Sequence, residues 1–236
     1  MSVTRPAARA EDAPIDILLV DPHRLVRQSL QRLLSDFEGV LVRGEVASCD
    51  EAIRLARKAC PRVVLLNLGG AEVLEGARKL ARQFPGVQVL VLADEADLVI
   101  QERLLQGGVA GCISNQAGRE ELHQALSAIM SGQRYISESL ARRLAERRLP
   151  GGAASPFEGL SHREMQILLL VVEGKSTRAI ARELCLTQKT VNGYRHRLLV
   201  KLGVETEVGL VHLAIREGLL RIPVTGGADG KPEPVP

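Results

Sequence analysis

Aromatic residues are nearly missing from this chain. Tryptophan is absent, and phenylalanine and tyrosine together make up 2% of the sequence. A packed core must therefore be aliphatic, which a 45% hydrophobic content allows. Long apolar runs are missing too: none approaches the roughly 18 residues of a membrane span, so no membrane partner is expected. The opening stretch MSVTRPAARAEDAP has no apolar centre and does not read as a secretory signal. Residues 1–14 read instead as a disordered lead. The four cysteines, Cys49, Cys60, Cys112 and Cys185, are scattered with no CxxC spacing. That pattern argues against a zinc ribbon or disulfide framework and for buried, reduced thiols in a cytoplasmic protein. The five histidines, His23, His123, His162, His196 and His212, are equally dispersed. No triad or metal cluster emerges, so the expectation is a protein that is not an enzyme, with no catalytic residue, metal or cofactor.

What is present is an alternation. Apolar runs at 15–20, 40–46, 63–67, 87–92 and 109–113 are separated by helix-like stretches near 23–36, 49–59, 72–84, 96–107 and 118–131. Several runs are almost continuously apolar, as parallel strands covered on both faces should be. Five such units predict a doubly wound, five-stranded parallel α/β sheet over residues 15–131. Sites in such sheets lie at the carboxyl ends of the strands. Here those ends are Asp21-Pro22, Asn67, Ala93 and Ser114-Asn115. The third run, VVLLNLGG (63–70), ends on an amide that is neither charged nor nucleophilic.

Residues 132–157 read as a linker with a short basic helix at 137–148, broken by PGGAASP (150–156). The pattern then changes to an all-α domain of four short helices over 158–221. Ser161 and Glu164 are spaced as a capping box, with Leu160 and Met165 as a hydrophobic staple. Ser176 and Thr187 are candidate caps for the next two helices, and Gly174, Gly203 and Gly218 are candidate stops. Two short helices joined through Cys185-Leu186-Thr187 predict a helix-turn-helix. Residues 222–236, rich in proline and glycine, read as a disordered tail. Gly174-Lys175-Ser176 resembles the end of a phosphate-binding loop, but Leu169 stands where that motif needs glycine, and no strand precedes it.

Charge separates the two halves. Residues 15–131 carry a net −2, whereas 132–154 and 155–221 each carry +3. The helix TQKTVNGYRHRLLVKL (187–202) holds Lys189, Arg195, Arg197 and Lys201 and no acid. A surface helix normally mixes signs, so this one reads as a recognition helix for double-stranded DNA. Its basic residues would meet phosphates, and Asn192 and His196 would reach base edges, with Thr190 on the same segment. Gly193 weakens the helix by about 1 kcal/mol relative to alanine, and its missing side chain suits close approach to DNA.

At this point the chain resembles a two-domain response regulator of the NarL/FixJ type. LSHREMQILLL, AIARELCL and KTVNGYRHRLLVKLGV are similar to the LuxR-type helix-turn-helix. GQRYIS (132–137) and HLAIREGLL (212–220) are similar to the GacA/UvrY subgroup. The resemblance implies dimerisation through the fourth helix, placing Val208, Val211 and Ile215 at a two-fold homodimer interface. It also implies a phosphoacceptor pocket, and there this sequence departs. Where the family has two Mg²⁺-binding acids, this chain has Asp21 and Pro22. The phosphorylated aspartate is Asn67, the following Thr or Ser is Ala93, and the aromatic switch residue and lysine are Cys112 and Asn115. The loop after Asn67 also lacks the family's Met-Pro. An amide supplies no carboxylate nucleophile, and one acid is a poor Mg²⁺ site. The expectation is a sequence-specific, DNA-binding transcriptional regulator acting independently of aspartyl phosphorylation. The alternative is an interaction protein that pairs with another regulator through its receiver-like domain. A third version adds a ligand or redox input, with Cys112 as the sensor.

Overall fold

The computed structural model describes residues 14–94, 98–149 and 155–220. The lead, the tail and most of the PGGAASP linker lie outside the described residues. Strands β1 (Ile15–Val20), β2 (Val40–Val46), β3 (Val63–Leu66), β4 (Gln88–Ala93), β5 (Gly111–Ser114) and β6 (Tyr135–Ile136) form one sheet in the order β2-β1-β3-β4-β5-β6. Every neighbouring pair is parallel. The continuously apolar VVLL of β3 is buried at all four positions because it lies inside the sheet with helices on both faces. Strand β2 lies at the edge, and no residue in it is fully buried.

Helices α1 (Arg24–Ser35) and α5 (Arg119–Met130) cover one face, with Leu34, Phe37, Leu122, Leu126 and Ile129 packed on Ile17, Leu19 and Leu65. Helices α2 (Cys49–Ala59), α3 (Gly70–Gln83) and α4 (Leu98–Gln106) cover the other. The sheet therefore has the doubly wound form that the alternation predicts.

The sheet has six strands rather than the five expected. Tyr135 and Ile136, from the segment read as linker, pair with Gly111 and Cys112. Gly132, at φ +81°, ends α5 and turns the chain. Arg134 then anchors it, donating to the carbonyls of Leu105 and, at 3.2 Å, Val109. A strand of two residues is too short to leave a periodic trace in the sequence. Helix α6 (Glu138–Arg148) follows and is tied to α4 by the Arg147–Glu102 ion pair at 3.5 Å. Residues 132–149 of the segment read as linker are thus part of the packed body.

The second unit comprises α7 (His162–Val172), α8 (Thr177–Glu183), α9 (Gln188–Leu202) and α10 (Glu207–Arg216). Its helix starts are those the sequence predicts. Ser161 and Glu164 form the capping box, and Ser176 and Thr187 accept from the backbone N–H three residues on. Gly203 takes the left-handed conformation that closes α9. Helix α7 is buried from Glu164 to Val172, with no outer polar face over that stretch. Its core-facing side meets α9 and α10, and its other side meets α3 of the first unit. One apolar cluster runs from Val64 and Leu74 through Ile100 and Leu104 to Phe157, Leu168 and Leu198.

Candidate functional site

Strands β1 and β3 are in register from Ile17–Val63 to Val20–Leu66. The next residues, Asp21 and Asn67, therefore emerge side by side at the carboxyl edge. The Asn67 N–H donates to the Val20 carbonyl at 2.8 Å, and the Asp21 N–H to that of Val46 at 3.1 Å. These bonds fix both side chains toward one hollow.

Asp21 is fully buried. Its Oδ2 accepts a hydrogen bond from Nδ2 of Asn67. Its Oδ1 accepts from the His23 backbone N–H at 2.6 Å and faces Nδ1 of the His23 ring at 3.2 Å. Arg27 donates through Nη1 to the Asp21 carbonyl at 2.7 Å. Both carboxylate oxygens thus have protein partners, as burial of a carboxylate requires.

Five of the six sequence-nominated pocket residues, Asp21, Pro22, Asn67, Ala93 and Asn115, line one cavity of about 230 Å³. Cys112 is not among its lining residues. It lies wholly inside the sheet, and burial pushes its thiol up to about 12. A neutral, enclosed thiol is unreactive, which removes the physical basis for Cys112 as a redox sensor. Asp94 also lines the cavity; it lies one residue beyond Ala93, the strand-end position that the sequence pattern marks. Gly69 and Gly70 complete the rim.

The second candidate site is α9. Val191 and Leu198 point inward and are fully buried, while Lys189, Thr190, Asn192, His196, Arg197 and Lys201 are exposed. The Thr190 hydroxyl lies 2.8 Å from that of Thr187, at the cap. The Asn192 side-chain oxygen accepts from the Thr177 hydroxyl at 3.3 Å, which orients the amide. Arg197 lies over the Tyr194 ring at 4.3 Å. Adding a Cβ to Gly193 would bring only Arg197 Nη1 within 4 Å, at 3.8 Å, so nothing inside the chain demands glycine there.

The helix is less freely cationic than its sequence. Arg195 donates to Thr177 and pairs with Glu207 at 2.5 Å. Lys201 pairs with Glu164 at 2.8 Å. Burial pushes the Glu164 carboxyl up, but Lys201 and the Ser161 N–H and hydroxyl more than offset this and hold it at about 2. The acids come from α10 and α7, which a scan of α9 alone does not reveal. On α10, Val208 is 63% exposed, with Val211 and Ile215 half-buried along the same face.

A receiver-type sheet with a strand-end acid pocket, packed against a helix-turn-helix with an outward polar helix, defines a two-domain signalling regulator. Comparison with known proteins makes this specific. Residues 17–127 match the response regulator receiver domain, and residues 158–214 match the bacterial regulatory proteins of the luxR family. Response regulator UvrY of Escherichia coli (strain K12) is 38% identical over 208 residues, 87% of this chain and 95% of that protein. Response regulator GacA of Pseudomonas aeruginosa is 40% identical over 209 residues, 87% of this chain and 98% of that protein. A structure of the Salmonella typhimurium RcsB response regulator, on its conformational dynamism for DNA interaction, aligns with TM-score 0.56 at 25% identity, covering 85% of this chain and 97% of that one. A further RcsB structure gives TM-score 0.68 at 24% identity. The chain belongs to the response regulator family and carries a LuxR-type DNA-binding domain; it is a transcription regulator of that class. No helix among the described residues is long and apolar enough to cross a membrane.

Proposed function

We propose that this regulator binds a two-fold-related site on double-stranded DNA as a homodimer and does so without aspartyl phosphorylation. The observation that carries the second half is the hydrogen bond from the Asn67 amide to buried Asp21. Where a receiver needs a nucleophilic carboxylate, this chain has a neutral donor that satisfies its neighbour. Asp21 has both oxygens engaged, position 22 is proline and position 67 is an amide, which leaves Asp94 as the one other acid among the described lining residues. This donor set does not fit Mg²⁺, which wants several oxygen anions in octahedral array. On this reading the pocket holds a satisfied hydrogen-bonded pair where the family holds its phosphorylation chemistry. DNA binding is assigned to Lys189, Thr190, Asn192, Gly193, His196 and Arg197, with Arg195 and Lys201 bracing the helix. Dimerisation is assigned to Val208, Val211 and Ile215. The structural neighbour RcsB, whose structure concerns DNA interaction, supports the DNA-binding half of this reading.

A gel shift or footprint with unphosphorylated protein at moderate salt tests the proposal. Sequence-specific protection is expected, unchanged by acetyl phosphate. Absence of specific binding, or binding that appears only after phosphodonor treatment, would overturn it. The melting temperature is likewise expected not to move with millimolar Mg²⁺ and beryllofluoride.

A further inference from the structure

Helix α3 begins at Gly70, directly after the Asn67 loop, and Gly69 at its cap position offers no side chain to the first N–H groups. Those groups, and the positive end of the helix dipole, call for an acceptor. The DNA-binding domain provides it: the Ala71 N–H donates to Oε1 of Glu173, just past the end of α7, at 3.4 Å. Gly70 makes this approach possible. Its φ is +58°, which strains any side chain, and an added Cβ would lie 2.2 Å from Glu173 Oε1, so a side chain here would push the Glu173 carboxylate out of its place.

The contact does not stand alone. His162, Gln166, Leu169 and Glu173 fall on one stripe of α7, spaced 4, 3 and 4 residues apart, and this stripe faces the receiver. Nε2 of His162 lies 3.1 Å from Glu75 Oε2, and Gln166 donates to the same oxygen at 3.0 Å. Gln166 is 1% exposed, so its amide depends on this partner. From α4, Arg103 donates to the carbonyls of Phe157 and Leu160 at 2.7 and 2.8 Å, holding the approach to α7. A small hollow lined by Gly70, Asp94, Ile100, Leu169, Val172 and Glu173 adjoins the Asp21–Asn67 cavity and shares Gly70, Asp94 and Ile100 with it.

We propose that Glu173 is a built-in occupant of the α3 N-terminus that latches the DNA-binding domain onto the receiver in one fixed arrangement. The latch holds the domains through α3 and α7 and leaves Lys189, Asn192 and His196 on the outside. It is matched to a neutral position 67, because an acid there would add to the negative charge that Asp21 and Asp94 already place near Glu173. This rests on the phosphate-independent reading and names what stands in place of the phosphate signal: an internal carboxylate that joins the two domains permanently.

The chain carries its own ruler. Against the expectation of four buried thiols, Cys60 in the receiver and Cys185 in the DNA-binding domain are exposed, while Cys49 and Cys112 are buried with thiols pushed up to about 12 by burial. Nitroxides on Cys60 and Cys185 of the full chain report the interdomain distance by double electron–electron resonance. The wild type is expected to give one narrow distribution, unchanged by Mg²⁺ with beryllofluoride. Glu173→Ala and Gly70→Ala are each expected to add a second, longer population, and the double variant to show no more of it than the singles. Glu173→Gln, which keeps an oxygen acceptor, should open the domains less than Glu173→Ala. Helical circular dichroism checks that each variant is folded. A broad wild-type distribution, or Glu173→Ala and Gly70→Ala variants that both stay folded and narrow, would overturn the latch. Narrow distances without DNA binding would instead defeat the functional proposal and leave the latch standing.

Discussion

Asn67 and Asp21 show how one side-chain atom changes the character of a pocket. With the amide, a buried carboxylate gains a donor. With an acid at the same place, two carboxylates would face each other, a repulsion of about 4 kcal/mol at about 4 Å and an effective dielectric near 20. Asn67→Asp is therefore expected to lower stability at pH 7 by roughly 2–4 kcal/mol in urea denaturation. The loss should shrink on acidification, and the variant, unlike the parent, should be stabilised by Mg²⁺. An Asn67→Asp protein as stable as wild type at pH 7 would contradict this account.

Glu164 is the second residue with a defined electrostatic role. Its folded carboxyl is held at about 2, below its ordinary value of 4.5. A depressed carboxyl contributes stability above the ordinary value and loses it as pH falls toward the folded value. The stability gap between wild type and Glu164→Gln should thus be full at pH 6 and close progressively from about pH 5 downward. Lys201→Ala removes one of the groups that hold Glu164 down and should cost about 1 kcal/mol at pH 7, since its ammonium is partly solvent-screened.

At the scale of the element, α9 carries two kinds of basic residue. Arg195 and Lys201 face acids on other helices, while among the described residues Lys189 has no acidic partner. Lys189→Ala is expected to lower the salt dependence of DNA binding by about one counterion per protomer, and Lys201→Ala to change it much less. Equal slopes for the two variants would refute this division. Gly193→Ala should stabilise the helix by up to about 1 kcal/mol, because the chain leaves room for the Cβ. The same change should weaken DNA binding if the backbone approaches the groove there. What the sequence made legible follows the same scale. The caps at Ser161, Ser176 and Thr187 are local, three-residue hydrogen bonds, so a short window reveals them. The acids opposite Arg195 and Lys201 lie on other helices and are visible only in three dimensions. Strand β6 was hidden for another reason: two residues carry no period, and its partner β5 sits more than twenty residues earlier.

For the whole molecule, the decisive surface lies between the domains. One sign of it was available in the sequence: LLLVV (168–172) puts five apolar residues in succession on a helix, more than one face can hold. A helix apolar on all sides is buried on all sides, and the helix-turn-helix core alone covers only part of α7. The identity of the covering partner, α3, follows from the sheet order and from Gly70, which sequence periodicity does not encode.

The two-sided burial of α7 bears on how far this DNA-binding domain is portable. A domain that can be cut out and joined to another sensor needs a polar exterior, and this one has an apolar stripe through Leu169 and Val172 where the receiver sits. Residues 155–220 produced alone should bind a hydrophobic dye and self-associate, whereas the full chain should not. Replacing Leu169 with Glu should improve the solubility of the fragment while weakening the full chain. Exchange of domains between regulators, which works when each module is finished on every side, would here leave two raw surfaces, so the receiver and the DNA-binding domain are bound to change together.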